Sequence, residues 1–191
     1  LSVKVKKNAS IVAMKYRKPA ENLVGVNGAY PVRNLLRDNT MKQQNHFQPV
    51  EFKGWHAQLN PRLQPLLNEF RKRWGRPVHV SSHPDAVGRN LGDEKSTHNV
   101  DYWGEVNGID LFPEDMRTAD DLCRAQKIAV EVGFTGIGLY TDTKFKGKPH
   151  PMLHLDVRPT RLMGDPAMWS RVDGKYKGIC AAIRDLEVIT A

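Results

Sequence analysis

Four side chains in two short stretches are of types that bind divalent metals. His98 and Asp110 lie in STHNVDYWGEVNGIDLF (96–112), His154 and Asp156 in MLHLDVRP (152–159). Asp110 stands between Ile109 and Leu111 in an apolar run, where a carboxylate gains nothing from burial unless something pairs with it. His154 and Asp156 are two apart in a segment of strand character, so both side chains leave the same face. Two imidazoles and a carboxylate suit zinc, which takes a few N and O donors in a roughly tetrahedral shell and keeps one position for water at a catalytic centre. A further acid or imidazole beside that position could accept the water's proton. The plainer alternative is an Asp110–arginine pair and a hydrogen-bonded core histidine at 154.

The elements around these stretches read as α+β. Leu63, Leu66, Leu67, Phe70 and Trp74 follow helical spacing, with Arg62, Glu69, Arg71 and Lys72 opposite. Asn60 and Pro61 suit the start of this helix, and Gly75 and Pro77 its end. PVHVSS reads as a short strand, and residues 83–106 as a long polar loop. NGIDLFP is the next strand. Thr118 opens a second helix with Asp120 and Asp121 in its first turn, a stripe of Leu122, Ala125, Ile128, Ala129 and Val132, and Gly133 after it. GIGLY and MLHLDVRP are strands separated by a polar turn, and MWSRV reads as a short helix or surface loop. A last helix is expected from Tyr176 to Val188, with Ile179, Ile183 and Leu186 inward. The result is a small, mainly antiparallel sheet with helices packed on one side.

Residues 1–50 are rich in Lys, Asn, Gln and Arg and lack periodicity; they read as a basic N-terminal arm or accessory segment before a domain over 51–191. Hydrophobic residues are 40% and charged ones 26% of the chain, a globular balance. No run of about 18 apolar residues is present to span a membrane, and the first residues make a poor secretory signal. A net charge of +8 and a pI near 9.6 favour anionic partners. No aromatic–basic platform or recognition helix points to nucleic acid. Cys123 and Cys180 sit among apolar neighbours without a CxxC motif and read as two buried free thiols, with one disulfide as the alternative.

Ser96-Thr97-His98, Gly108-Ile109-Asp110, GIGLY (136–140) and HLDVR (154–158), in this order, resemble the motifs of the zinc peptidoglycan peptidases. That family includes D-Ala-D-Ala carboxypeptidases and the L-alanyl-D-glutamate endopeptidases of phage endolysins. The resemblance covers about residues 60–160. It implies a hedgehog-like fold, zinc held by His98, Asp110 and His154, and cleavage of a peptidoglycan peptide. It also implies a place on a phage virion, or in the host cell wall or periplasm after release, with the N-terminal arm available to virion proteins. The chain departs from the family in the insertion NVDYWGEV between His98 and Asp110, and in Pro151, which stands where relatives place an acidic base. The base is then expected at Asp156, which could instead ligate the metal or orient one of its ligands from behind, next at His150, and third at Glu105. His83 is a candidate for substrate contact, and Arg158 either holds a peptide carboxylate or pairs with Asp156 or another acid of the fold. A catalytically inactive structural or wall-binding protein on the same fold is the alternative.

Overall fold

The computed structural model describes residues 46–190, with no account of the side chains of 188–190. Most of the expected basic arm therefore lies outside the described residues. Packing is already under way where they begin. Phe47 and Phe52 are buried in the core, and the Arg71 guanidinium lies 3.4 Å above the Phe47 ring.

Helix α1, Leu63–Trp74, buries Leu63, Leu67, Phe70 and Trp74 and ends on Gly75, whose φ of 75° is one a glycine adopts without strain. Arg71 departs from expectation. It is buried, and its fork reaches Glu51 (2.6 Å) and the carbonyl of Val78 (2.6 Å), tying the segment before the helix to the first strand. Asn60 lies two residues before the N-cap, Arg62, and accepts from its amide at 2.9 Å.

A six-stranded sheet follows, built from β1 (Val78–Val80), β2 (Gly108–Pro113), β3 (Gly136–Tyr140), β6 (Met152–Asp156), β7 (Ala167–Val172) and β8 (Lys175–Lys177). Their order is β1-β2-β6-β3-β7-β8, antiparallel throughout except for the parallel pair β3–β7. The short strands β4 (Lys144–Phe145) and β5 (Lys148–Pro149) form a separate hairpin. MWSRV is thus a strand inside the sheet and not a helix or loop: Met168 and Val172 join the core while Trp169 and Arg171 take the other face. Because β8 occupies Lys175–Lys177, the last helix starts later than expected, at Cys180, and runs to Thr190 (α4).

One face of the sheet carries Ile109, Leu111, Ile137, Leu139, Leu153 and Leu155, all fully buried in a cluster shared with α1, with α3 (Ala119–Val132) and with α4. Helix α3 begins with a capping box in which Thr118 and Asp121 exchange hydrogen bonds, and it ends on Gly133. Cys123 and Cys180 are free thiols, but both are exposed: the stripe that begins at Leu122 turns residue 123 outward. None of these helices is long and apolar enough to cross a membrane, among the described residues.

Candidate metal centre

The opposite face of the sheet carries the chemistry. Register places Asp110, His154, Gly138 and Trp169 in one row across β2, β6, β3 and β7. His98 reaches this row from the 83–106 loop, which is well organised. It contains the turn Pro84–Ala86 and the short helix α2 (Val100–Trp103). Fully buried Asn99 holds it: its side chain accepts from the amide of Leu91 and donates to the carbonyls of Gly92 and Glu94. The Trp103 indole braces the loop through the Ser96 carbonyl.

The three candidate ligands converge. His98 Nε2 lies 3.1 Å from His154 Nδ1 and 3.6 Å from Asp110 Oδ1, and His154 Nδ1 lies 2.8 Å from the same oxygen. Tetrahedral donors about 2.0–2.1 Å from a zinc-sized ion sit about 3.3 Å apart, so this spacing fits a divalent ion. Each imidazole is also locked from behind. His98 Nδ1 donates to the Val87 carbonyl at 3.0 Å, leaving Nε2 for the centre. His154 Nε2 faces Asp156 (3.1 Å) and Thr97 Oγ1 (3.2 Å), leaving Nδ1 for the centre. Such outer partners fix ring orientation and tautomer. His98, Asp110 and His154 are therefore a group that could hold a metal ion.

The electrostatics follow from burial and contact. Burial opposes the charge on Asp110, but the hydrogen bond to His154 and the nearby His98 imidazole outweigh it and hold its carboxyl well below the usual range. Burial likewise disfavours the His154 imidazolium, yet Asp110 and Asp156 on its two sides push it up to about 9. Asp156 is lowered in turn: its desolvation is outweighed by His154 and Arg158.

Asp156 is fully buried, receives both Nε and a terminal nitrogen of Arg158, and addresses the far nitrogen of His154. Of the roles the sequence left open to it, base, metal ligand or orienting group, its position fits the last. Glycines create the room it needs. A Cβ on Gly136 would lie 2.2 Å from the Asp156 carboxylate, one on Gly108 2.4 Å from Thr97 Oγ1, and one on Gly138 2.7 Å from the Trp169 indole. Asp156→Asn keeps the shape but removes the charge that holds both His154 and Arg158. It is expected to weaken metal affinity by about 10–100-fold with the fold retained, measured by competition with a chromophoric chelator.

The triad forms the floor of a cleft of about 750 Å3, whose walls include His83, Lys144, Arg158 and Trp169. His150 does not line it. Its ring is buried against Phe112 and Phe145, and its Nδ1 bonds the Pro151 carbonyl at 2.7 Å, so the expected role as second-choice base loses its geometry. Glu105 is bound to the Asn60 amide at 2.6 Å and is likewise absent from the cleft wall. His83 does line the cleft, and its Nδ1 accepts from the Asp85 amide. Arg158 lines it too, but it is committed to Asp156 and lies 4.8 Å from the Trp169 ring.

Trp169 and Thr97 are site residues that sequence reasoning missed. Trp169 packs 5.3 Å from the His154 ring and donates to the Tyr140 hydroxyl at 3.0 Å. The period-two alternation of AMWSRV was the signal for it. Compared with protein-family models, with curated proteins and with solved structures, the chain matches none of them.

Proposed function

We propose that the protein is a zinc-dependent peptidase that cleaves peptide bonds of bacterial peptidoglycan, as an endolysin or a virion-associated cell-wall hydrolase. The observation that carries this reading is the convergence of His98 Nε2, His154 Nδ1 and Asp110 Oδ1 on one point beneath an open cleft, with the second nitrogen of each imidazole already engaged. The order of the SxH, GID, GIGLY and HLDVR motifs supports the choice of zinc and of peptidoglycan.

Zinc bound there would polarise a scissile carbonyl and lower the pKa of a bound water towards about 7. The chain's own part is orientation. Asp156, held by Arg158, keeps the Nδ1 of His154 directed at the centre, and the Val87 carbonyl does the same for the Nε2 of His98. Trp169 and Tyr140 shield the floor of the cleft from one side.

A second reading, a metal-binding wall protein without turnover, is favoured by the acid–base inventory. Among the described residues the carboxylates lining the cleft besides Asp110 are Asp85 and Glu94, and Glu94 is paired with Arg89 at 2.8 Å. One experiment separates the two. Zinc-loaded protein is incubated with purified peptidoglycan and new amino groups are counted. Release that requires zinc supports the peptidase; about one zinc per chain with no release supports the second reading.

A further inference from the structure

Beyond the metal floor, the wall of the cleft over β3, β7 and β8 is built from alternating rings and guanidinium groups. Arg158 lies over Trp169, and Arg171 lies 4.8 Å from the Tyr140 ring. The two arginines differ in what they have left to offer. Arg158 commits Nε and one terminal nitrogen to Asp156. Arg171 commits Nε alone: both oxygens of Asp142 accept from it at 3.0 Å, and the same carboxylate accepts from the Gly174 amide at 2.7 Å. Among the described residues neither terminal NH2 group of Arg171 has a hydrogen-bond acceptor. The side chain is 31% exposed and lines the cleft.

We propose that Arg171 is the anchor for a carboxylate of the substrate, and that it determines specificity for an acidic peptide. The inference rests on the peptidase reading for the identity of the reaction, not for the binding. A guanidinium stacked on a ring and fixed through Nε has lost its freedom before any ligand arrives. It presents two parallel donors, the geometry that matches a carboxylate in a bidentate pair. Lys144 on the cleft wall adds positive charge without a partner carboxylate among the described residues.

The position of this anchor sets the length of the ligand. Arg171 lies in the row of Tyr140, two residues along β7 from Trp169, and Trp169 shares a row with His154. Two strand spacings of about 4.8 Å and two residues of about 3.3 Å place it about 12 Å from His154 along the backbone. An extended chain advances about 3.3–3.6 Å per residue, and the arginine reaches back over Tyr140. The recognised carboxylate is therefore borne about two residues from the scissile bond rather than on the residue next to it. Tyr176, which pairs with Arg171 across β7–β8 and is 68% exposed, closes this end of the cleft.

The test uses zinc-loaded full chain and paired muropeptides that differ only in a free or amidated carboxyl group two residues from the cleaved bond. Equilibrium binding by calorimetry is the first readout. Wild type is expected to prefer the free acid about 10–100-fold. Arg171→Gln should abolish that preference, and Arg171→Lys, which keeps charge but not the fork, should restore only part of it. In hydrolysis the loss should appear in KM with kcat held. Equal binding of acid and amide by wild type, or an undiminished preference in a folded Arg171→Gln protein, overturns the proposal. Acid preference lost in Arg171→Gln without any hydrolysis sustains the anchor and removes the peptidase reading. Zinc-dependent hydrolysis indifferent to amidation does the reverse.

Discussion

Replacing His154 by alanine is expected to abolish metal binding and to weaken the fold at the same time. Its ring is the hinge of the centre: Nδ1 meets Asp110 at 2.8 Å, and Nε2 meets Asp156 at 3.1 Å, with the whole side chain buried. Truncation removes one donor from the metal and leaves two carboxylates facing each other across a hole. Breaking a buried ionic cluster by removing one partner costs about 3–5 kcal/mol. In the metal-free protein the imidazolium is raised to about 9 from an ordinary 6.5, so its stabilising charge is fully present below pH 6.5 and lost as pH rises through about 9. The difference between wild type and His154→Ala should therefore be largest near pH 6, read by urea unfolding in chelator. His98→Ala provides the contrast. Behind the triad its ring bonds the Val87 carbonyl, a neutral group, so this variant should lose the metal with a smaller loss of stability. Elemental analysis of both variants decides the matter: zinc retained at one per chain by His154→Ala would remove the triad as the binding site.

What could be seen of this centre beforehand was what strand periodicity carries. Asp110 between two core leucine-type neighbours, and His154 two residues from Asp156, announce which face of a strand they occupy, and register then brings them opposite each other. Periodicity says nothing of which nitrogen of a ring faces which partner. That is why Asp156 ranked first as a base, with the orienting role it occupies behind His154 only an alternative. Glycine carried information that spacing alone could not yield: GIGLY is a strand whose two glycines make room for Asp156 and Trp169 on the site face, a relation that exists only after β3, β6 and β7 are aligned. Arg71 was placed on the solvent side because helical position alone cannot anticipate Glu51 and the Val78 carbonyl arriving to pair with one end of a buried guanidinium. β7 was missed because a tryptophan, a serine and an arginine dilute its apolar alternation, of which only Ala167, Met168 and Val172 remain apolar without being aromatic.

Metal affinity is expected to depend steeply on pH, and the sign follows from His154. In the metal-free protein its two N–H groups face Asp110 and Asp156, and the proton on Nδ1 occupies the place of the metal. Binding must expel that proton. Below about pH 9 each unit of acidification therefore lowers the apparent affinity about tenfold, so about a hundredfold separates pH 8.5 from pH 6.5. Asp110 contributes no slope in this range, because its carboxyl is held well below the usual values and stays ionised throughout. Calorimetric titration of zinc into metal-free protein, repeated in buffers of different ionisation enthalpy, counts the proton directly; about one should be released per metal near pH 7.5. Asp156→Asn removes one of the two charges that raise His154, so it should shrink both the proton count and the slope while weakening the affinity at high pH. A flat affinity between pH 6.5 and 8.5 in wild type would mean that His154 is already neutral when the metal arrives. The two carboxylates would then be serving to orient the ring without charging it.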